Sequence, residues 1–204
     1  MELPPAFLLF VISAAFTPGP NNIMIMSSGL NFGTRASLPH FFGICFGFPT
    51  MFLAVGFGLG YLFEKYALLH SLIQIAGVLY LFYLAWLIAR AAPTKLERHR
   101  AAPLSFAQAA LFQWVNPKAW IMGTSAIAAY TTVGANVNLQ ILAMALLFWL
   151  MTFPSAGVWL FFGIALKRLL GDPQRQKYFN VAMALLLVGS VIPIVIDLLQ
   201  AHLG

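Results

Sequence analysis

Two short polar motifs interrupt apolar stretches of this sequence and carry groups that suit a small charged solute. The first is Thr17-Pro18-Gly19-Pro20-Asn21-Asn22, and the second is Asn116-Pro117-Lys118. Proline removes an amide donor and glycine lets the backbone leave helical geometry, so each motif predicts a break in a helix. In an apolar segment such a break is tolerated only where its backbone is buried in protein or lines a wet cavity.

The breaks release backbone groups of both polarities. A proline leaves the carbonyl four residues earlier without its helical donor, which here frees the carbonyls of Ala14, Phe16 and Gln113. The first amides of the helix after a break lack internal acceptors and suit an anion. These amides belong to Gly19, Asn21, Asn22 and Ile23 after the first motif, and to Lys118 and Ala119 after the second.

A zwitterionic amino acid fits this set of groups. Its carboxylate would bind the free amides and the ammonium of Lys118, and its own ammonium would bind the released carbonyls and the side-chain oxygens of Thr17, Asn21 and Asn116. The predicted substrate-binding residues are therefore Thr17, Pro18, Gly19, Pro20, Asn21, Asn22, Asn116, Pro117 and Lys118.

Each of these residues also has a purely structural interpretation. The threonine and the asparagines could cap the half-helices and bind nothing, and Lys118 could extend toward a membrane interface. A lysine near the middle of a membrane span is costly, which favours a functional role. Ser27 and Ser28, just after the first break, either line the cavity or bond to the backbone.

The composition predicts the elements that hold these motifs. Of the 204 residues, 61% are hydrophobic and 8% are charged, which indicates an all-α integral membrane protein in a single domain, 1–204. Apolar runs of about 20 residues predict six transmembrane helices. We place them at about 4–28, 38–62, 67–89, 104–130, 139–165 and 178–199, and the start of the sequence predicts no removable signal peptide.

Basic residues predict the orientation of the chain. Nine of the eleven Lys and Arg residues fall after the first, third and fifth spans, and such loops are usually cytoplasmic. Both termini are then periplasmic, and no nucleic-acid partner is needed to explain the net charge. The chain divides into a first three-span half, 1–92, a basic cytoplasmic loop, 93–103, and a second three-span half, 104–204.

The two breaks occupy matching places in these halves. Each lies in the first span of its half, about 13 residues or 20 Å from the start of that span, and three spans per half give the halves opposite orientations. This pattern predicts two inverted three-helix halves with spans one and four broken near the midplane, where the substrate site of such transporters lies.

Few residues support other chemistry. Spans one to five contain no Asp or Glu away from their ends, which favours a small neutral substrate. Asp197 is the one candidate for proton coupling, although a solvated or ion-paired end residue is the simpler interpretation. His40 is expected to be a surface or helix-end residue, and Cys45 is the only cysteine. We predict no catalytic residues, no metal site and no cofactor.

Together these residues resemble the LysE/RhtB family of bacterial amino acid exporters. The resemblance rests on the two motifs, on Gly33 with Arg35 and on the Gly43 and Gly47 pair, and it covers essentially the whole chain. Residues 17–23, Ser27, Ser28 and the segment around Pro93 look like the cysteine and O-acetylserine branch. The resemblance implies a multi-pass protein of the bacterial inner membrane that exports small neutral amino acids, driven by an ion gradient.

The leading hypothesis is a secondary exporter that works by alternating access, with one half rocking against the other in the lipid bilayer. A membrane thiol-disulfide carrier is disfavoured because it needs two thiols, and a passive amino acid channel would not move substrate against a gradient. A hydrolase is weaker still, since no catalytic triad is apparent. Gly43 and Gly47 could pack helices within one chain or between two chains of a homodimer.

Overall fold

The computed structural model describes residues 5–59, 67–90, 102–131, 136–170 and 172–203, and nearly all of these residues are helical. Within these ranges there is no strand, so the all-α prediction is confirmed. The elements are α1 (Pro5–Phe16), α2 (Pro20–Ala54), a π-helical turn (Val55–Leu59), α3 (Ala67–Arg90), α4 (Phe106–Phe112), a 3-10 turn (Gln113–Val115), α5 (Pro117–Tyr130), α6 (Val137–Leu170) and α7 (Pro173–Leu203).

The first motif separates α1 from α2, as the sequence predicts. Helix α1 ends at Phe16, and Gly19 is extended, with φ of −170° and ψ of 179°. Pro20 is the first residue of α2, a position where its fixed φ fits and its missing amide hydrogen is not needed. The break therefore spans three residues, and both of its prolines lie at positions where they do not disrupt a helix interior.

Helix α2 is a hairpin of two helical arms, 20–32 and 34–54. Gly33 between them has a φ of 78°, a value that residues with a side chain rarely adopt. Twelve residues of straight helix would span about 18 Å, yet Ser28 Oγ lies 2.8 Å from His40 Nδ1. The chain therefore reverses at Gly33, and the second helix begins at 34 rather than at the predicted 38.

The second motif is built differently. Helix α4 starts with a capping box, in which the Ser105 side chain accepts from the Gln108 amide and the Gln108 side chain accepts from the Ser105 amide. The helix then tightens into the 3-10 turn, Asn116 takes an extended conformation, and Pro117 opens α5. Of the predicted loop 93–103, residues 93–101 lie outside the described part of the structure.

Helix α1, which ends at the first break, and helix α5, which begins at the second, run in opposite directions. The ring of Phe7, near the start of α1, lies 5.0 Å from the ring of Tyr130, the last residue of α5. At the other end, the Lys118 side chain near the start of α5 reaches Thr17, just after α1. Helices α1 and α5 are thus antiparallel, with the two breaks side by side.

Gly43 and Gly47 lie on the second arm of α2 and face α4. A Cβ atom added at Gly43 would lie 2.5 Å from the Phe106 carbonyl oxygen, and one at Gly47 would lie 2.6 Å from Ala110 Cα. The pair therefore brings two helices of the same chain into backbone contact. Of the two alternatives, packing within one chain or between two, the structure shows the first for these glycines.

The surface is apolar, whereas many buried side chains are polar. Leu9, Leu111 and Leu185 are each 66% exposed, while Gln113 and Asn116 are at most 2% exposed. Exposed apolar side chains in this number are unusual for a protein surrounded by water and fit one surrounded by lipid. Among the described residues, 137–167 is a single helix that is long and apolar enough to cross a membrane, and 20–58 meets the same length and composition criteria although the chain reverses within it at Gly33.

Candidate functional site

The two breaks border one cavity, which we call the break cavity. It contains about 460 Å³ of space not filled by atoms, part of it open to the outside. Among the described residues, Lys118 is the only charged one in its lining. The lining comes from both breaks, the second arm of α2 and the middle of α6, namely Ala14, Ala15, Gly19, Asn21, Asn22, Ile44, Phe48, Asn116, Lys118, Ala119, Met122, Thr152, Ser155 and Ala156.

Lys118 connects the second break to the first. Its ammonium donates a hydrogen bond to the Thr17 carbonyl, and its side chain lies directly against Gly19. A Cβ atom on Gly19 would lie 2.6 Å from Lys118 Cδ and 3.1 Å from Nζ. The glycine is therefore needed for the space that the lysine occupies, and not for its extended backbone, which any residue could adopt.

Two carbonyls of the first break accept side-chain hydrogen bonds. Asn22 Nδ2 donates to the Ala15 carbonyl at 3.1 Å and to the Thr17 carbonyl at 2.9 Å, and Ser155 Oγ donates to the Ala15 carbonyl at 2.7 Å. These are not the carbonyls that the sequence analysis named, because the end of a helix frees all of its last carbonyls and not only those opposite a proline.

The prediction that the Gln113 carbonyl is released is wrong. This oxygen accepts from the Asn116 amide at 3.3 Å, because the chain tightens into a 3-10 turn at that point. The side chain of Gln113 is the more important group. Gln113 Nε2 donates to Asn21 Oδ1 at 3.1 Å, and Gln113 Oε1 accepts from Asn21 Nδ2 at 2.8 Å.

This reciprocal amide pair joins the breaks a second time, and the sequence analysis did not include Gln113 among the site residues. The available signal was its position, since it is an amide side chain in an apolar span shortly before Asn116. Ser155 was missed in the same way and follows Pro154 in α6.

Asn116 behaves as a helix cap. Its Oδ1 accepts from the Lys118 amide at 3.1 Å, and its carbonyl accepts from the Ala119 amide at 3.0 Å. The prediction that these two amides lack internal acceptors is therefore wrong, and so is that for Ile23, whose amide donates to the Gly19 carbonyl at 2.9 Å. Thr17 likewise uses its hydroxyl within its own turn, donating to the Ser13 carbonyl.

All nine predicted site residues lie at the junction of the breaks, but they play different parts. Those that line the break cavity are Gly19, Asn21, Asn22, Asn116 and Lys118. Thr17 contributes its carbonyl to Lys118, and Pro18, Pro20 and Pro117 shape the backbone without lining the cavity. Asp197 lies in α7, and its side chain is outside the described part of the structure.

A second cavity, which we call the hairpin cavity, lies next to the turn of α2. It contains about 1040 Å³ of unfilled space, partly open, between α2, α3 and residues 102–108. Ser27 and Ser28 line this cavity rather than the break cavity. His40 also lines it and is only 1% exposed, so the expectation of a surface histidine is wrong, because the reversal at Gly33 folds it against Ser28.

The described residues contain no group of three or more His, Cys, Asp or Glu side chains that could hold a metal ion. Cys45 is buried in the second arm of α2, between the two glycines that contact α4.

Comparison with known proteins agrees with the resemblance seen in the sequence. Residues 12–197 match the family model described as LysE type translocator. Proteins described as cysteine/O-acetylserine efflux proteins from Escherichia coli strains K12 and O9:H4 (strain HS) and from Shigella flexneri serotype 5b are each 32% identical over 184 residues, covering 90% of this chain and 92% of the relative. No solved structure matches significantly. These relatives indicate a transporter rather than an enzyme, and the chain belongs to the LysE type translocator family.

Proposed function

We propose that this protein is a secondary active exporter of small neutral amino acids from the cytoplasm, coupled to the proton gradient. The observation that carries the proposal is the meeting of the two breaks, where the Lys118 ammonium lies beside backbone carbonyls in one cavity. The names of the relatives point to cysteine, O-acetylserine or a similar amino acid as the substrate.

The break cavity offers complementary groups to both ends of such a substrate. The carboxylate binds Lys118, and the substrate ammonium takes the carbonyls of Ala15 and Thr17, which already accept from side-chain donors. Asn21, Asn22 and Asn116 supply further polar contacts. A second positive charge on the substrate would meet no acid among the lining residues, so we expect lysine and arginine to be poor substrates.

We propose further that the chain crosses the bacterial inner membrane six times, with both termini periplasmic. The antiparallel course of α1 and α5 supports two inverted halves, since α1 ends at the first break, α5 begins at the second, and the two breaks lie side by side. Transport then proceeds by alternating access, with the breaks near the midplane and the halves moving against each other. We propose that two copies of the chain assemble as a homodimer.

We propose that Asp197 carries the coupled proton. The alternative is that Asp197 is only a charged residue at the end of the last span. Replacement by asparagine separates the two, because a proton carrier loses uphill transport whereas an end residue does not.

Export from bacterial cells loaded with dipeptides tests the function directly. Cells that overproduce the protein are expected to release cysteine or O-acetylserine faster than cells with an empty vector, and an uncoupler should abolish the difference. A passive channel would still release substrate after uncoupling, and a thiol-disulfide carrier would release no O-acetylserine. If no small neutral amino acid leaves faster, the proposal is wrong.

A further inference from the structure

One ring nitrogen of a buried histidine has no partner among the described residues. His40 is 1% exposed, and its Nδ1 is paired with Ser28 Oγ at 2.8 Å, but its Nε2 has no hydrogen bond. Leaving a buried polar atom unpaired is unfavourable, and such atoms are rare in folded proteins. A ligand group that binds Nε2 would remove this penalty.

The pairing with Ser28 fixes the orientation of the imidazole ring. Either group can be the donor in this pair. The proposal uses the tautomer in which the Ser28 hydroxyl donates to Nδ1, the ring hydrogen is on Nε2, and Nε2 is a donor. A donor in this position suits an oxygen acceptor, and a carboxylate oxygen is the strongest acceptor that a small metabolite offers.

The walls of the hairpin cavity suit a small molecule without net charge. Tyr80, Tyr83 and Gln108 line it, and among the described residues no Asp, Glu, Lys or Arg does so. Met24 and Leu84 add apolar surface. With about 1040 Å³ of unfilled space, this cavity is more than twice the size of the break cavity.

The cavity also lies where a solute would enter from the basic side of the protein. It is bordered by the turn at Gly33, by the last turns of α3 and by the segment before α4, and Arg35 and Arg90 lie in the first and second of these elements. The two cavities share no lining residue, although Asn22 lines one and Met24, two residues later, lines the other.

We propose that the hairpin cavity is a second binding site for a small neutral amino acid, in which His40 Nε2 holds the carboxylate before the substrate reaches the break cavity. The proposal rests on the proposed function for the identity of the ligand. It assigns His40 a direct contact with substrate, and it assigns Ser28 the task of orienting the ring.

Two replacements of His40 separate ligand binding from support of the fold. The amide of Asn reaches the place of Nδ1 and can keep the bond to Ser28 while removing Nε2, whereas the amide of Gln reaches the place of Nε2. Equilibrium dialysis of the purified full-length protein in lipid nanodiscs, with radiolabelled L-cysteine kept reduced, measures binding. Lys118→Ala in the same assay removes the contribution of the break cavity.

In the Lys118→Ala background, we expect the remaining binding to weaken about tenfold or more with His40→Asn, as loss of a hydrogen bond to a charged group implies. His40→Gln should restore most of it. Tyr83→Phe, at a side chain that is 50% exposed, should weaken binding several-fold without affecting folding, which keeps the test decisive if a His40 variant is unstable.

Equal binding by the Asn variant and the Lys118→Ala parent would overturn the proposal, because Nε2 would then take no part in holding the carboxylate. Rescue by Asn and not by Gln would also overturn it, since His40 would then act through Ser28 alone. Export by the otherwise unmodified protein is measured in parallel. If it exports no small amino acid, the proposed function fails, whereas export with unchanged binding in the His40 variants rejects the second site only.

Discussion

The two helix breaks both contain proline and asparagine, but they offer a ligand different groups. The first break offers backbone, since its carbonyls at Ala15 and Thr17 accept from Asn22, Ser155 and Lys118. Its helix start has no side-chain cap, because the capping position is Gly19. The second break offers side chains, since Asn116 and the 3-10 turn satisfy its own backbone and leave Lys118 and Gln113 to reach across.

This difference shows that a proline break is not a binding site by itself. The second break satisfies its backbone hydrogen bonds with its own residues, whereas the first also accepts a hydrogen bond from Lys118 of the second. The two therefore form a single site only when they are side by side. An inverted arrangement of the two halves would achieve this, because it places the end of α1 next to the start of α5.

Replacing Lys118 with methionine should have the largest effect, because it removes the one charge that the second break supplies. Methionine keeps the length and the apolar stem of the side chain, so the protein should still insert. We expect export to fall by about tenfold to a hundredfold, as the loss of a hydrogen bond to a charged group implies. Lys167→Met, at the end of α6, is the control and should export normally in the same efflux assay.

Replacing Gly19 with alanine tests whether the first break must make room for the lysine. The new Cβ would lie 2.6 Å from Lys118 Cδ, so the ammonium must move away from the Thr17 carbonyl. Overpacking of this kind costs about 1–3 kcal/mol, and we expect a several-fold loss of export. Gly157→Ala is the matched control, because nothing lies within 4 Å of its added Cβ. Equal activity of the two variants would contradict the close fit.

A double-mutant cycle on Asn21 and Gln113 measures how strongly the breaks are joined. Each single alanine variant leaves the other amide without its partner, so the two effects on unfolding should not add. We expect a coupling free energy of about 1 kcal/mol from thermal or denaturant unfolding in detergent. Additive effects would mean that the amide pair contributes nothing to holding the breaks together.

Asn116 should give the smallest effect, and it separates capping from substrate contact. Asn116→Ala removes the cap and should lower the free energy of unfolding by about 1 kcal/mol. Asn116→Ser provides another capping side chain, so it should restore stability. If Ser restores stability but not export, Asn116 also touches the substrate, and the second break then contributes more than Lys118 to binding.

The positions of the breaks were predictable because proline and glycine act locally. The same local argument indicated Lys118, since a charge inside an apolar span is unfavourable without a partner. The partners themselves were not predictable, because Asn21 and Gln113 are 92 residues apart and only the packed fold brings them together. The burial of His40 likewise depends on one backbone angle at Gly33, and no property of the histidine itself indicates it.

The hydrogen bond from Lys118 to the Thr17 carbonyl has a consequence for the transport cycle. Under the proposed alternating access, a carrier that has released its cargo outside must return to face the cytoplasm, and an unpaired ammonium would oppose that step inside a membrane. The Thr17 carbonyl, which also accepts from Asn22, pairs the Lys118 ammonium at the place proposed for the ammonium of the cargo. Loading then becomes an exchange of one ammonium for another, and the displaced lysine is left free to hold the carboxylate of the incoming molecule.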